Sequence, residues 1–154
     1  MTPRMNIFHK APEVVKALMA VEAGIEKSGL DPGLIELVRL RASQINGCAF
    51  CIHMHVKDAL QRGESAMRLH LIAGWRESPL FTDRERAALN WTESLTKVAE
   101  TGAPDADYEL LNGQFSEAEI AHLTLLIGTI NLWNRAQIGL RAVHPVDKPA
   151  AVAT

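Results

Sequence analysis

Cys48 and Cys51, the only cysteines among 154 residues, form a C-x-x-C pair with His55 four positions beyond the second. An α-helix turns about 100° per residue, so these offsets keep all three side chains on one face. A thiol beside a base and within reach of a second thiol can carry out reversible redox chemistry. The start of a helix, where unpaired N–H groups carry partial positive charge, favours both thiolates relative to a free cysteine of pKa about 8.5. His55 can take the proton of Cys51 or stabilise its anion as imidazolium. Glu36 lies on the preceding segment among Leu34, Ile35, Leu37 and Val38. A short Asn46-Gly47 connection that folds that segment back onto the cysteine helix brings Glu36 near His55, as the carboxylate that orients the imidazole.

The same residues admit other chemistry. Two thiolates, His55 and either Glu36 or His53 make four ligands for zinc, although structural zinc sites prefer three or four sulfurs. Buried, inert thiols are the bland alternative, and they leave the histidine spacing a coincidence. Glu36 alone reads as a surface carboxylate paired to Arg39 or Arg41. His53, two residues from Cys51, points about 200° away around the helix; it, His70 and His122 read as polar surface or satisfied core residues. Trp75, Trp91 and Trp133 fit helical packing positions. Asn131, Asn134 and Arg135 lie on an otherwise apolar helix and need partners, at a subunit interface or in a pocket.

The elements that must position these groups are helical throughout, with no run of alternating strand residues. Val14, Leu18, Val21 and Ile25 make one apolar stripe that stops at Gly29. Asp31-Pro32 is an N-cap followed by proline at the first helical position, opening a helix to about Ile45 that Asn46-Gly47 ends. The cysteine helix runs from about Cys48 to Arg62, and a short helical piece covers Ser65 to Trp75. Thr82 with Glu85 and Ser116 with Glu119 are capping boxes, the first for a helix to about Glu100 and the second for one to about Ala142. Phe115 can staple onto Ile120, and a shorter helix spans Pro104 to Asn112. The last helix is apolar around most of its circumference from Ile120 to Trp133, which predicts a central position or a face shared with another copy in a homo-oligomer. The expectation is one all-α domain of about six or seven helices, with a loose tail from His144 to Thr154.

A net charge of −2 with mixed signs gives no reason to expect nucleic acid or an anionic membrane as partner. Glu13 and Lys16 interrupt any signal-type apolar run, and the longest charge-free apolar stretch, Ile120 to Asn134, is too short to span a bilayer. These features predict a cytoplasmic protein, where a close cysteine pair is catalytic or metal-binding more often than structural.

Glu36, then Cys48-x-x-Cys51 twelve residues later, then His55 resembles the signature of the AhpD-like alkylhydroperoxidases of the carboxymuconolactone decarboxylase superfamily. The close match covers roughly Pro32 to Ala59, and a looser likeness includes Asn131-Leu132-Trp133-Asn134-Arg135. The resemblance implies an all-helical, oligomeric domain over residues 1–143. It implies that Cys51 attacks the peroxide, that Cys48 resolves the sulfenic acid as a disulfide, and that His55 and Glu36 relay the proton. The reductant is then an external dithiol, a lipoyl group or a thioredoxin-like protein, since the chain carries no flavin or nicotinamide fingerprint and no cofactor of its own is expected. Phe50 departs from the pattern: the best-known peroxidase of the family has a second histidine there, so one relay member is missing. The lactone decarboxylases that name the superfamily generally lack the cysteine pair. A non-catalytic redox sensor or scaffold is the reading from outside enzymology.

Overall fold

Helix boundaries fall where capping residues, prolines and glycines put them. In the computed structural model, which describes residues 2–146, nine α-helices and one 3-10 turn follow one another, with no strand among the described residues. They are α1 (Ile7–Lys10), α2 (Pro12–Glu26), α3 (Pro32–Asn46), α4 (Ala49–Gln61), α5 (Ala66–Leu71), α6 (Asp83–Thr96), α7 (Val98–Thr101), α8 (Asp105–Asn112) and α9 (Glu117–Gly139), with the 3-10 turn Ile72–Gly74 continuing α5. Asp31 caps α3 by accepting the Leu34 N–H at 2.9 Å, and Pro32 opens it. Both capping boxes form. Phe115 and Ile120 share one buried cluster, as the staple requires.

The all-α class is as expected, and the helix count is higher for local reasons. α1 is a single turn capped by Asn6 with no apolar period to announce it. The helix expected to run to Glu100 breaks at Lys97 into α6 and α7.

α3 is the central helix. Leu34, Ile35 and Val38 join Trp91, Leu123 and Ile127 in one cluster, while Leu37 and Leu40 join Ile72, Trp75 and Leu89 in another. α9 buries one face through Ile120, Leu123, Leu126, Ile127 and Ile130, yet exposes Leu125, Leu132 and Ile138 in the single chain. The stripe expected on α2 forms in part, with Leu18 half-buried. Val15 and Ile25 are buried, whereas Val14 and Val21 are exposed, because the helix turns Glu22 and Glu26 toward Arg39 of α3. At the start of the expected tail, His144 stacks on His53 with ring centroids 4.8 Å apart. Residues 147–154 lie outside the described residues.

Asn134 answers the question its position raised, because it ties α9 to α3 inside the subunit. Its Nδ2 donates to Ser43 Oγ at 3.0 Å, its Oδ1 accepts from Asn46 at 2.9 Å, and its side chain is fully buried. Asn131 also accepts from Asn46 and donates to Thr96, and Arg135 donates back to Asn131. Asn134→Leu leaves Ser43 and Asn46 short of partners, so we expect a loss of about 1–3 kcal/mol in urea unfolding. An unchanged midpoint would mean that water replaces the lost bonds at no cost.

Glu93 joins α6 to the segment after α5. It accepts from Arg41 at 2.8 Å, Trp75 at 2.9 Å and Arg76 at 2.5 Å. Burial pushes its carboxyl up, but the bonds from Trp75, Arg76 and Arg41 outweigh burial and hold it below the ordinary 4.5. A carboxyl whose pKa is lower folded than unfolded stabilises the fold above the unfolded value and stops doing so as pH falls through the folded one. The wild-type urea midpoint should therefore decline on acidification from about pH 4.5 downward. Glu93→Gln should decline less over that window, and parallel curves would show that Glu93 is not among the responsible groups.

Candidate active site

Gly47 ends α3 in the left-handed region at φ 71°, a conformation that suits glycine, and the chain turns at once into α4. That tight return lays α4 back against α3, and Glu36 and His55 meet across the seam. His55 Nδ1 lies 2.9 Å from Glu36 Oε2, with Glu36 only 1% exposed and His55 4%. An ionised carboxylate can only accept, so Nδ1 carries the hydrogen, which leaves Nε2 as the ring atom for proton exchange. Nε2 is buried and has no hydrogen-bond partner among the described residues.

Cys48 is the N-cap of α4, and its Sγ accepts from the Cys51 N–H at 3.3 Å, a place usually held by serine, threonine or aspartate. Cys48 and Cys51 are both buried and are joined as a disulfide. Cys51, His55 and Asp58 then follow at helical spacing along one face of α4. All three line a cavity of about 490 Å³, and Cys48 is not part of that lining.

Glu36 is no surface carboxylate. Its second oxygen accepts from Arg39 Nη1 at 3.0 Å, and Arg39 also binds Glu26 at 2.7 Å and Glu22 at 2.5 Å. One guanidinium is thus held by three carboxylates, and it is itself buried. Burial pushes the Glu36 carboxyl up, but the hydrogen bond and charge of His55, then those of Arg39, overcome it and leave Glu36 below the ordinary carboxylate range. For Arg39, burial works against the charge, and Glu22, Glu26 and Glu36 more than restore it. The pair beneath the disulfide is therefore an ionised Glu36 orienting an imidazole.

Several lining residues escape a reading by motif. Arg39 was legible only as an ion-pair partner of a surface Glu36, and Glu22 and Glu26 lie on a helix whose facing the apolar stripe misjudged at Val14 and Val21. Asp58 had a usable signal, since it sits three residues past His55 on the same helical face. Trp133 is not simple packing: it lines the cavity, donates to Glu22 Oε1 at 2.8 Å and stacks on Phe8 with centroids 6.2 Å apart. Phe50 also lines the cavity, whereas His53 turns to His144, as its angle on the helix predicts.

For a metal, the set of two thiolates, His55 and Glu36 or His53 is not what the fold assembles with the cysteines joined to each other. Among the described residues, the group with ligand atoms within 4.8 Å of one another is Glu36, His55 and Asp58. A cation there would compete with Arg39 for Glu36.

Residues 12–94 match the model of the carboxymuconolactone decarboxylase family. A protein of unknown function from Agrobacterium tumefaciens, provisionally named an antioxidant defence protein AhpD, has a crystal structure 49% identical in sequence with a TM-score of 0.92, over 95% of this chain and 100% of that one. Uncharacterized protein YdfG of Bacillus subtilis is 35% identical over 140 residues, 91% of this chain and 95% of its own length. An AhpD core structure from Ralstonia eutropha shares the fold at a TM-score of 0.78, with 18% identity over 90% of this chain and 74% of that one. With the matched segment running through the whole Glu36, Cys48, Cys51 and His55 constellation, the chain belongs to the carboxymuconolactone decarboxylase family, within its AhpD-like superfamily.

Proposed function

We propose that the protein is a thiol-dependent peroxidase that reduces organic hydroperoxides through a Cys48–Cys51 dithiol/disulfide cycle. The observation that carries this reading is the His55–Glu36 contact of 2.9 Å behind a cysteine that lines a cavity. In the reduced protein His55 takes the Cys51 proton at Nε2, and Glu36 stabilises the imidazolium through Nδ1. The Cys51 thiolate attacks the distal oxygen of ROOH. The O–O bond breaks, Cys51 becomes a sulfenic acid, and the alkoxide leaves as ROH with the proton that His55 held. Cys48 then displaces hydroxide from the sulfenic sulfur, closing the disulfide and releasing water. An external dithiol, lipoyl or thioredoxin-like, returns two electrons and two protons by exchange and leaves as its own disulfide.

Phe50 in the cavity wall supplies no proton, so the relay in this chain rests on His55 and Glu36. The exposed Leu125, Leu132 and Ile138 of α9 support assembly with further copies of the chain, readable as mass in sedimentation. Among the described residues no helix is long and apolar enough to cross a membrane.

The test is consumption of cumene hydroperoxide by the reduced, metal-free protein with dihydrolipoamide supplied. Sustained turnover is expected. A single equivalent consumed, with a disulfide that no dithiol reduces, would instead mark a redox sensor, and no consumption would end the peroxidase assignment. Cys48→Ser should reduce at most one equivalent and stop as the Cys51 sulfenic acid, trapped by dimedone and weighed by mass spectrometry. Multiple turnovers in that variant would remove Cys48 from the cycle.

A further inference from the structure

The charges around the cavity are lopsided. Three carboxylates, Glu22, Glu26 and Asp58, line it against a single guanidinium, Arg39, and Glu36 lies directly behind. The charge of Arg39 is already matched, because its Nη1 is engaged by Glu26 and Glu36 and its Nη2 by Glu22. Arg62 is drawn into the same cluster, 3.3 Å from Glu26 and 3.9 Å from Glu36, and it does not line the cavity. Asp58 brings an oxygen within 4.8 Å of the Glu36 and His55 ligand atoms, at the place a reacting group would have to approach. Apolar and aromatic side chains make up much of the remaining lining. Phe8 and Trp133 stack at an interplanar angle of 11°, and Phe50 and Met54 also line the cavity. Concave walls of one sign focus the field between them and repel a ligand of the same sign, and aromatic faces with adaptable methionines favour a planar apolar body.

We propose that this cavity accepts neutral or cationic hydroperoxides with a flat apolar body and turns away those that carry a carboxylate close to the peroxide. The proposal rests on the peroxidase reading and narrows its substrate class. Fatty-acid hydroperoxides with a free carboxylate near the reacting oxygen fall outside the class, and aryl or esterified hydroperoxides fall inside it.

A matched pair isolates the charge: cumene hydroperoxide bearing a para-carboxylate, and its methyl ester. The first measurement is the rate of Cys48–Cys51 disulfide formation in pre-reduced protein, each rate divided by that of the same peroxide with free dithiothreitol. The ester should react about tenfold faster or more, and Asp58→Asn should narrow the gap by speeding the carboxylate. Equal rates, or a faster carboxylate, would overturn the substrate class and leave the peroxidase reading standing. The second measurement needs no redox chemistry: calorimetric binding of the two corresponding alcohols to the oxidised protein. The ester alcohol should bind about tenfold tighter than the acid, and equal affinities would overturn the proposal. Selective binding without any peroxide consumption would support the selectivity and overturn the peroxidase reading on which its name as a substrate class depends.

Discussion

Cys51→Ser should lose hydroperoxide consumption by at least about a thousandfold, because a hydroxyl at this place is neither as acidic nor as nucleophilic as a thiol and cannot accept oxygen as a sulfenic acid. The size of the effect follows from where Cys51 sits. It alone of the two cysteines lines the cavity, one helical turn from His55, whose Nδ1 is held by Glu36. A proton-relay residue is expected to be worth less, about a hundred to ten thousandfold, since a thiolate still forms slowly without help. Rates measured with dihydrolipoamide in excess, so that reduction does not limit, report the peroxide step itself. Wild-type turnover in Cys51→Ser, with the fold intact by circular dichroism, would disprove its role as attacking cysteine. Serine is nearly isosteric here, so loss through misfolding is separable from loss of chemistry.

The second large effect is on stability. Arg39→Leu should destabilise the protein by about 3–5 kcal/mol, the usual cost of stripping a buried charge network of one partner. For a chain of this length that corresponds to roughly 6–20 °C in the thermal midpoint. The reason lies in what stays behind. Glu36 keeps His55 and Arg62 at 3.9 Å, while Glu22 and Glu26, one turn apart on α2, lose the guanidinium they share. Burial, the largest influence on Glu36, then works with less opposition and pushes its carboxyl up, weakening its hold on His55. Arg39→Lys is the informative companion, since one ammonium keeps the charge but cannot span three carboxylates as a planar fork does. It should fall between wild type and Arg39→Leu in calorimetric melting. If Arg39→Leu melts within about 2 °C of wild type, the carboxylates are better solvated than their burial implies and the cluster is not a stabilising hub.

Both expectations, and the charge selection inferred for the cavity, converge on one design problem. A relay histidine needs an ionised carboxylate below it, and burial opposes that ionisation. Arg39 answers by neutralising Glu36 from the other side, and the price is two further acids, Glu22 and Glu26, which balance Arg39 and then tilt the cavity negative. On the proposed function, substrate preference is thus coupled to the group that keeps Glu36 ionised.

What the sequence by itself determined is local. Caps and breakers act within four residues, so Asp31-Pro32, Gly47, and the Thr82–Glu85 and Ser116–Glu119 boxes placed the helix ends well. Cys51 and His55 share a face because helical rotation admits no alternative, and the short Asn46-Gly47 return was enough to anticipate Glu36 beside His55. Tertiary structure decided everything that joins distant segments. Apolar periodicity placed Ile25 of α2 correctly but not Val14 and Val21, because ion pairs to Arg39, 13 and 17 residues away, outweighed two valines that cost little to leave in water. Asn134 could have faced a partner or a pocket, and only the packing of α9 on α3 gave it Ser43, 91 residues earlier. The cavity wall joins Phe8 to Trp133 from opposite ends of the chain. No local rule reaches that far, since each such contact depends on how whole helices settle against one another.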